Sequence, residues 1–276
     1  MQDDKMTPCA DYHAFREDTK LLEQVAREAG DVALKFFKKD PEVWTKKNDS
    51  PVTEADLAVN NLIAERLMAA RPNYGWLSEE SEDSDDRLEK RRVFVIDPID
   101  GTRAFIDGGT EWTISLAVVE NGRPVAAALY APVRHEMYLA SKLSGSTLNG
   151  ARLRCPQLRT LEGARAAGPR IVIDKGPLAR AGVEGRGYIR SLAYRIVMVG
   201  NGALDLALAR EHANDWDLAA ADLILEEAGG VLRDNANQPL RYNRKDCRHG
   251  CLCAAGHPIA DLMAAIMPVL PFPKRH

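Results

Sequence analysis

The residues of this chain best suited to chemistry lie in the stretch Asp97-Pro98-Ile99-Asp100-Gly101-Thr102. An apolar run at residues 93–96 precedes them and predicts a buried strand, and strand ends place side chains at the sheet edge where α/β folds bind ligands. Two clustered carboxylates repel each other unless a cation lies between them. A Gly-Thr turn can direct backbone N–H groups at an anion. We therefore expect a metal site beside a phosphate site, although Asp-Pro and Asp-Gly are also ordinary turn residues.

Three further acidic residues, Asp56, Glu79 and Asp217, lie at predicted junctions between elements. Each also has a simpler explanation: Thr53 followed by Asp56 matches a capping box, Glu79 fits a solvent-facing loop, and Asp217 fits a helix start that favours acids. Carboxylate oxygens are the ligands that Mg²⁺ prefers. The histidines are dispersed, and the chain has neither a serine nucleophile elbow nor a Walker loop. The set favours metal-assisted hydrolysis of a phosphate ester.

Hydrophobic spacing predicts the helices and strands that would position these acids. Helices are expected at residues 12–39, 54–70, 192–199, 216–228 and from about 258, and strands at residues 75–77, 93–96, 112–119, 124–130, 136–140, 170–173, 204–209, near Val231 and near Leu252. The charged run at residues 82–92 fits a solvated loop or a helix end. The pattern indicates one layered α/β unit over residues 1–276. A soft division near residue 145 would separate a first part with the metal site from a second part, residues 146–276, that selects the substrate.

Composition excludes several classes of function. A formal charge of −3 over 276 residues gives no electrostatic footprint for nucleic acid or an anionic membrane. No apolar run approaches the ~20 residues that span a bilayer, and the acidic N-terminus does not match a signal peptide. Five scattered cysteines fit reduced thiols in a cytoplasmic protein. The one-residue gaps among Cys247, His249, Cys251 and Cys253 argue against a zinc site and for a buried strand at residues 250–255.

Four sequence blocks together carry a resemblance to a known family. They are Ser50-Pro51-Val52-Thr53-Glu54-Ala55-Asp56, Ser78-Glu79-Glu80-Ser81, the stretch from Asp97 to Thr102, and Trp216-Asp217 followed by Glu227-Ala228-Gly229-Gly230. They occur in family order between residues 46 and 230. The chain resembles the inositol monophosphatase family of Mg²⁺-dependent, lithium-sensitive phosphatases. The resemblance implies an αβαβα layered sandwich, two to three Mg²⁺ ions and a homodimer.

The resemblance also implies which groups hold the metals. The implied ligands are carboxylates and one backbone carbonyl: Glu79, Asp97, Ile99, Asp100 and Asp217. The first metal would take Glu79, Asp97 and the Ile99 carbonyl, and the second would take Asp97, Asp100 and Asp217. A third, weaker ion would lie near Glu79 and Asp56. Asp97 would therefore bridge two metals.

The remaining roles implied by the resemblance concern water and phosphate. Asp56 and Thr102 would polarise the attacking water, with Glu79 counted among the catalytic residues. Thr102 would take a hydrogen bond from that water or pass its proton to Asp56. The N–H groups of Gly101 and Thr102 would hold the phosphate. The capping function of Asp56 would then be the smaller part of its role.

The substrate is less tightly specified than the reaction. The expected substrate is an inositol-1-phosphate-type ester; the alternative is a 3'(2'),5'-bisphosphate nucleotide, and a third possibility is a regulatory binding protein of the transcription machinery. Arg210 stands where inositol monophosphatase-like chains tend to carry an acid, about seven residues before the metal-binding aspartate. Arginine suits a second phosphate through bidentate hydrogen bonds, although a surface ion pair with Glu211 or Asp215 would also explain it. The candidate substrate-binding residues are Arg195, Arg210 and Lys46.

Overall fold

The computed structural model describes residues 8–39, 43–45 and 51–272. Its helices are α1 (Pro8–Phe36), α2 (Glu54–Ala70), α3 (Thr102–Ile106), α4 (Arg170–Ile173), α5 (Pro177–Arg180), α6 (Leu192–Gly200), α7 (Asp215–Glu227) and α8 (His257–Ile266). The strands that build the larger sheet are β3 (Gly75–Ser78), β4 (Arg92–Asp100), β5 (Thr113–Glu120), β6 (Arg123–Ala131), β7 (Glu136–Ser141), β8 (Gly145–Leu148) and β9 (Ala151–Arg152).

The remaining strands form a second sheet and two short pairs. The second sheet contains β10 (Arg165–Ala167), β11 (Glu184–Gly185), β12 (Leu206–Ala209), β14 (Gly230–Asp234) and β16 (Leu252–Gly256), in the order β11-β10-β12-β16-β14. The short pairs join β1 (Val43–Thr45) to β2 (Pro51–Thr53) and β13 (Ala213–Asn214) to β15 (Arg248–His249).

The seven-stranded sheet separates two hydrophobic cores. Its strands follow chain order from β3 to β9, with β3 and β4 parallel and the later neighbours antiparallel. Successive side chains of a strand point to opposite faces, so Phe94 and Ile96 pack with α1 and α2 while Val93 and Val95 pack on the other side. Both faces of β4 are therefore buried, which explains its continuous apolar sequence.

The second sheet completes a stack of five layers. Helices α6 and α7 lie between the two sheets and share one core with them, in which Val95, Leu223 and Ala254 all take part. The outer face of the second sheet packs against α4, α5 and α8, through residues such as Leu206 and Met263. The order helix, sheet, helix, sheet, helix confirms the predicted αβαβα class.

Most predicted elements are confirmed, but the expected strand at residues 170–173 is wrong. This segment is helix α4, preceded by Pro169 as its N-cap. Val172 and Ile173 are buried next to each other while Ile171 is exposed, which suits a helical turn and not a strand alternation. The β-branched composition favoured a strand, and packing against the second sheet overrides that preference.

The charged run at residues 82–92 is solvent-facing at most positions but not throughout. It contains a short 3-10 helix, Asp85–Glu89, and it buries Arg87 and Arg92. The Arg87 guanidinium donates to Asp83 and to Asn243 Oδ1, so its charge and its donors are satisfied. The prediction of a solvated segment therefore fails for the two buried arginines.

Both halves of the chain contribute residues to the core between the two sheets. The division expected near residue 145 stays a prediction, and the seven-stranded sheet itself continues beyond it to Arg152. Among the described residues, no helix combines the length and apolar character needed to cross a membrane.

The segment after β9 crosses to the second sheet and lies against the end of β16. A Cβ at Gly256 would meet the backbone oxygen of Pro156 at 2.3 Å. We expect Gly256→Ala to cost ~1–3 kcal/mol through overpacking and to lower the melting temperature in calorimetry by about 2–8 °C. Gly250→Ala is the control, because the nearest atom there lies at 3.6 Å. Equal melting temperatures for the two variants would contradict this packing.

Candidate active site

The end of β4 is irregular, and this irregularity brings two aspartates to one side. Asp97 pairs with Ser115 and Asp100 pairs with Thr113, so three steps on β4 oppose two steps on β5. The extra residue is a β-bulge, at a point where Pro98 provides no N–H for the ladder. In a regular strand, residues three apart face opposite ways. Here the bulge lets Asp97 and Asp100, both buried, face the same site.

A third carboxylate reaches this site from α7. Asp217 is the N3 residue of that helix and closes a capping box with Asn214, whose N–H donates to Asp217 Oδ2 at 2.7 Å. One oxygen from each of Asp97, Asp100 and Asp217 lies within 4.8 Å of the others. Asp217 therefore caps the start of α7 and also lies in the acidic cluster. Its role as a metal ligand stays a prediction.

Burial and mutual repulsion dominate the electrostatics of this cluster. Burial raises the pKa of Asp97 well above its usual value, and the carboxylates of Glu79, Asp100 and Asp217 raise it further. Burial likewise raises the pKa of Asp217, with added repulsion from Asp100 and Glu79. Burial raises the pKa of Asp100 to about 6, against hydrogen bonds that favour its charged form. Ionised oxygens at this spacing fit a hard divalent cation.

The loop after β3 adds Glu79 to the same site. Ser78 Oγ donates to Asn60 Oδ1 at 2.7 Å, and Asn60 Nδ2 donates to Ser81 Oγ at 3.1 Å, so α2 holds both ends of the turn. The N–H of Glu79 donates to the Ile96 carbonyl at 3.2 Å. Glu79 is half-buried beside Asp97 rather than facing solvent in a free loop.

Asp56 both caps a helix and contacts the candidate site. Its Oδ2 accepts from Thr53 N at 2.8 Å and from Thr53 Oγ1 at 2.7 Å, which closes the capping box of α2. Its Oδ1 lies 3.4 Å from Thr102 Oγ1, and that hydroxyl also lies 3.2 Å from the Ile99 carbonyl. The structure thus brings Asp56, Thr102 and the Ile99 carbonyl together. The roles that the resemblance implies for them stay predictions.

Gly101 occupies a position that only glycine fits. Its φ is +94°, and a Cβ there would lie 2.9 Å from the Glu111 carbonyl oxygen and 3.2 Å from Ser191 Cβ. Gly101 is the N-cap of α3, which Thr102 begins. The phosphate-holding role of these two residues stays a prediction.

A cavity of about 810 Å³ contains the carboxylates, and arginines make part of its wall cationic. Arg195 and Arg210 both line it, as do Tyr188 and Arg190. Arg195 is 5% exposed, and its Nε has no hydrogen-bond partner among the described residues. Burial lowers the pKa of Arg195; Tyr188 and Asp100 oppose this shift, and the nearby Arg210 adds to it. Two neighbouring cations therefore line the same cavity as the acids.

Arg210 does not form the surface ion pair that would have explained it otherwise. Within the described ranges no hydrogen bond or salt bridge joins Arg210 to another residue. Asp215 instead accepts from His249 Nε2 at 2.7 Å and from Asn243 N at 2.6 Å, and Glu211 lies 3.8 Å from His212 Nε2. Lys46, the third candidate, lies outside the described residues.

Two residues beside the site escaped sequence reasoning. Ser191 donates to Asp100 Oδ2 from 91 residues away in the chain. Its position before a predicted helix marks it as an N-cap, but nothing local connects it to Asp100. Tyr188 is 54% exposed on the cavity wall, and its ring centre lies 5.8 Å from the Arg195 guanidinium carbon. The sequence around Tyr188 does not indicate that its side chain lines a cavity.

The cysteine and histidine cluster near the C-terminus forms no metal group within the described part of the chain. Cys247, Cys251 and Cys253 are free thiols, and His249 is bonded to Asp215. The expected buried strand is β16, at Leu252–Gly256. The prediction against a zinc site stays a prediction.

Comparison with known proteins places this site in a family. Residues 15–267 match the model of the Inositol monophosphatase family. The chain belongs to the inositol monophosphatase family. This phosphatase is therefore a metal-dependent phosphoric monoester hydrolase, and the family match confirms the resemblance drawn from the four sequence blocks.

Individual relatives of this phosphatase carry different names. The 3'(2'),5'-bisphosphate nucleotidase CysQ of Aggregatibacter actinomycetemcomitans is 29% identical over 83% of this chain and 89% of its own. The Nus factor SuhB of Xylella fastidiosa is 31% identical over 78% of this chain and 80% of its own. The Thermotoga maritima IMPase structure has a TM-score of 0.79 and 26% identity, covering 92% of this chain and 97% of that one.

The crowded carboxylates predict an unusual effect of one substitution. Asp97→Asn removes a carboxyl group whose ionisation is opposed by burial and by four other acids, so we expect the metal-free phosphatase to melt about 2–4 °C higher. The same change should abolish the further rise in melting temperature that Mg²⁺ gives the unaltered phosphatase. Differential scanning calorimetry with and without Mg²⁺ measures both effects. Asp31→Asn, at an exposed position on α1, is the control, and an undiminished Mg²⁺ response in Asp97→Asn would refute the assignment.

Proposed function

We propose that this phosphatase hydrolyses a 3'(2'),5'-bisphosphate nucleotide with two to three Mg²⁺ ions. The observation that carries the proposal is the pair of arginines, Arg195 and Arg210, that line the same cavity as the acids. One phosphate would react at the acidic end, and these cations would bind the second. The CysQ nucleotidase name among the relatives supports the same choice.

The acidic residues would hold the metals at the reacting phosphate. Asp97, Asp100 and Asp217 supply the clustered oxygens, with Glu79 and the Ile99 carbonyl beside them. When bound, Mg²⁺ would lower the pKa of a coordinated water and neutralise charge on the leaving oxygen. The protein's part is to keep its oxygen ligands buried and fixed in place, while bound cations would favour their ionised form.

Proton handling would fall to Thr102 and Asp56. The Thr102 hydroxyl can accept a hydrogen bond from the attacking water while donating its own proton toward Asp56 Oδ1, 3.4 Å away. Asp56 is held by both hydrogen bonds from Thr53, so its Oδ1 stays directed at Thr102. Backbone N–H groups of Gly101 and Thr102 would orient the phosphate oxygens. Together these contacts would align the water for in-line attack.

The cavity wall also offers a surface for a nucleobase. Tyr188 is exposed and lines the same cavity as Arg195. Aromatic side chains stack on any base because every base has a π-face. An inositol ring has no such face, so Tyr188 adds to the case for a nucleotide.

An inositol-1-phosphate-type ester remains the second candidate, supported by the likeness to the Thermotoga maritima IMPase. The metal end of the site would serve both substrates equally. The cationic wall is the feature that distinguishes them, because inositol monophosphate has no second phosphate to bind there. A homodimer and inhibition by lithium stay predictions.

A phosphate-release assay tests the reaction itself. With Mg²⁺ we expect turnover of bisphosphate nucleotide that chelator abolishes. Asp100→Asn should reduce turnover by at least about 100-fold, because removing a ligand weakens the preorganised charge stabilisation. Asp261→Asn, at an exposed position on α8, should leave turnover unchanged. Full activity in the presence of chelator would contradict the proposed metal-dependent reaction.

Reversing the charge of Arg210 tests the substrate. Arg210→Glu should lower the ratio of bisphosphate nucleotide turnover to inositol phosphate turnover by at least about tenfold, since it removes a phosphate contact and adds repulsion. Arg180→Glu, on the exposed surface of α5, makes the same change in net charge away from the cavity. An unchanged ratio in Arg210→Glu would show that Arg210 does not select the substrate.

A further inference from the structure

Asp100 is held by one short stretch of another element. Ser191 Oγ and Ala193 N donate to its Oδ2, the latter at 2.7 Å, and Leu192 N donates to its Oδ1 at 3.3 Å. All three donors belong to the first turn of α6. Both carboxylate oxygens are thereby fixed in direction, while each keeps electron density for a further ligand.

The Ser191 hydroxyl has one possible arrangement of its hydrogen bonds. Its proton goes to Asp100 Oδ2, because an ionised carboxylate accepts hydrogen bonds and cannot donate one. Its lone pairs receive the N–H of Tyr194 at 3.0 Å and the hydroxyl of Thr113 at 3.3 Å. Ser191 is completely buried, so no water competes for these bonds. A hydroxyl with every bond assigned is a rigid donor.

The backbone around Asp100 is shaped for this contact. Thr113 is the β5 residue paired with Asp100, so strand and helix meet at the same hydroxyl. Gly101 lets Ser191 approach, because a Cβ there would lie 3.2 Å from Ser191 Cβ. The contact therefore depends on residues from β4, β5 and α6 at once.

We propose that Ser191 is a positioning residue that orients Asp100 for the divalent cation. The proposal rests on Asp100 being a metal ligand in the proposed function. Groups that orient a metal ligand contribute strongly to affinity, and their loss weakens metal binding about 10–100-fold. Because α6 also carries Arg195, the same helix links the metal end of the cavity to its cationic wall.

Calorimetric titration of the full chain with Mg²⁺ or Mn²⁺, without substrate, tests this role. Ser191→Ala should weaken binding about 10–100-fold. Ser191→Gly should weaken it equally, although glycine preserves most of the stability of a helix N-cap. Ser146→Ala is the matched control, because Ser146 is a completely buried serine whose hydroxyl has no hydrogen-bond partner among the described residues. Ser191→Thr, which keeps the hydroxyl, should restore most of the affinity.

The outcomes separate this proposal from the proposed function. Wild-type affinity in both Ser191→Ala and Ser191→Gly would overturn the positioning role. Failure of the unaltered chain to bind either cation would overturn the metal assignment on which the role rests. A fall in melting temperature with unchanged metal affinity would make Ser191 a helix cap only, and would also overturn the proposal.

Discussion

Repulsion among buried carboxylates is the constraint on which this structure depends. Asp97, Asp100 and Asp217 lie within reach of one cation, and burial raises the pKa of each, with repulsion from neighbouring acids added. Such a cluster opposes folding unless something neutralises it. A bound cation would neutralise this repulsion, and a set of carboxylate oxygens is suited to binding one. The surrounding bulge and helix starts are arranged to hold these charges where they repel each other.

The layered fold explains how distant residues reach one point. Strand β4 lies inside the larger sheet, and α7 lies between the two sheets, so the end of one meets the start of the other. Helix α6 packs beside α7 and brings its first turn against Asp100. Each of these elements buries an apolar face, so apolar burial rather than a bond at the site fixes its position. The rigid cores on either side keep the acids from moving apart.

Much of the site could be predicted from sequence because its signals are local. The strand before Asp97, the turn at Gly101 and the capping box at Asp56 are each contained within a few residues. The capping box also illustrates a limit: local pattern identifies the cap correctly, yet only the fold brings Asp56 Oδ1 to within 3.4 Å of Thr102 Oγ1. The sequence around Asp56 therefore indicates its capping role but not its contact with Thr102.

The features that sequence reasoning missed depend on contacts between distant parts of the chain. Ser191 reaches Asp100 across 91 residues, and Arg87 reaches Asn243 across 156, so neither is visible in a local window. The segment at residues 170–173 has the composition of a strand but is too short to resist its packing environment. Arg210 was recognisable as a departure from the family pattern, but its freedom from Glu211 and Asp215 could be established only in three dimensions.

The most direct test of the central claim is crystallographic. Crystals grown with Mn²⁺ and measured at the manganese absorption edge would locate bound cations through anomalous scattering. The structure predicts at least one strong peak among the carboxylates of Asp97, Asp100 and Asp217. Absence of any peak there, at Mn²⁺ concentrations that saturate catalysis, would contradict the claim that these repelling charges are held together for a cation.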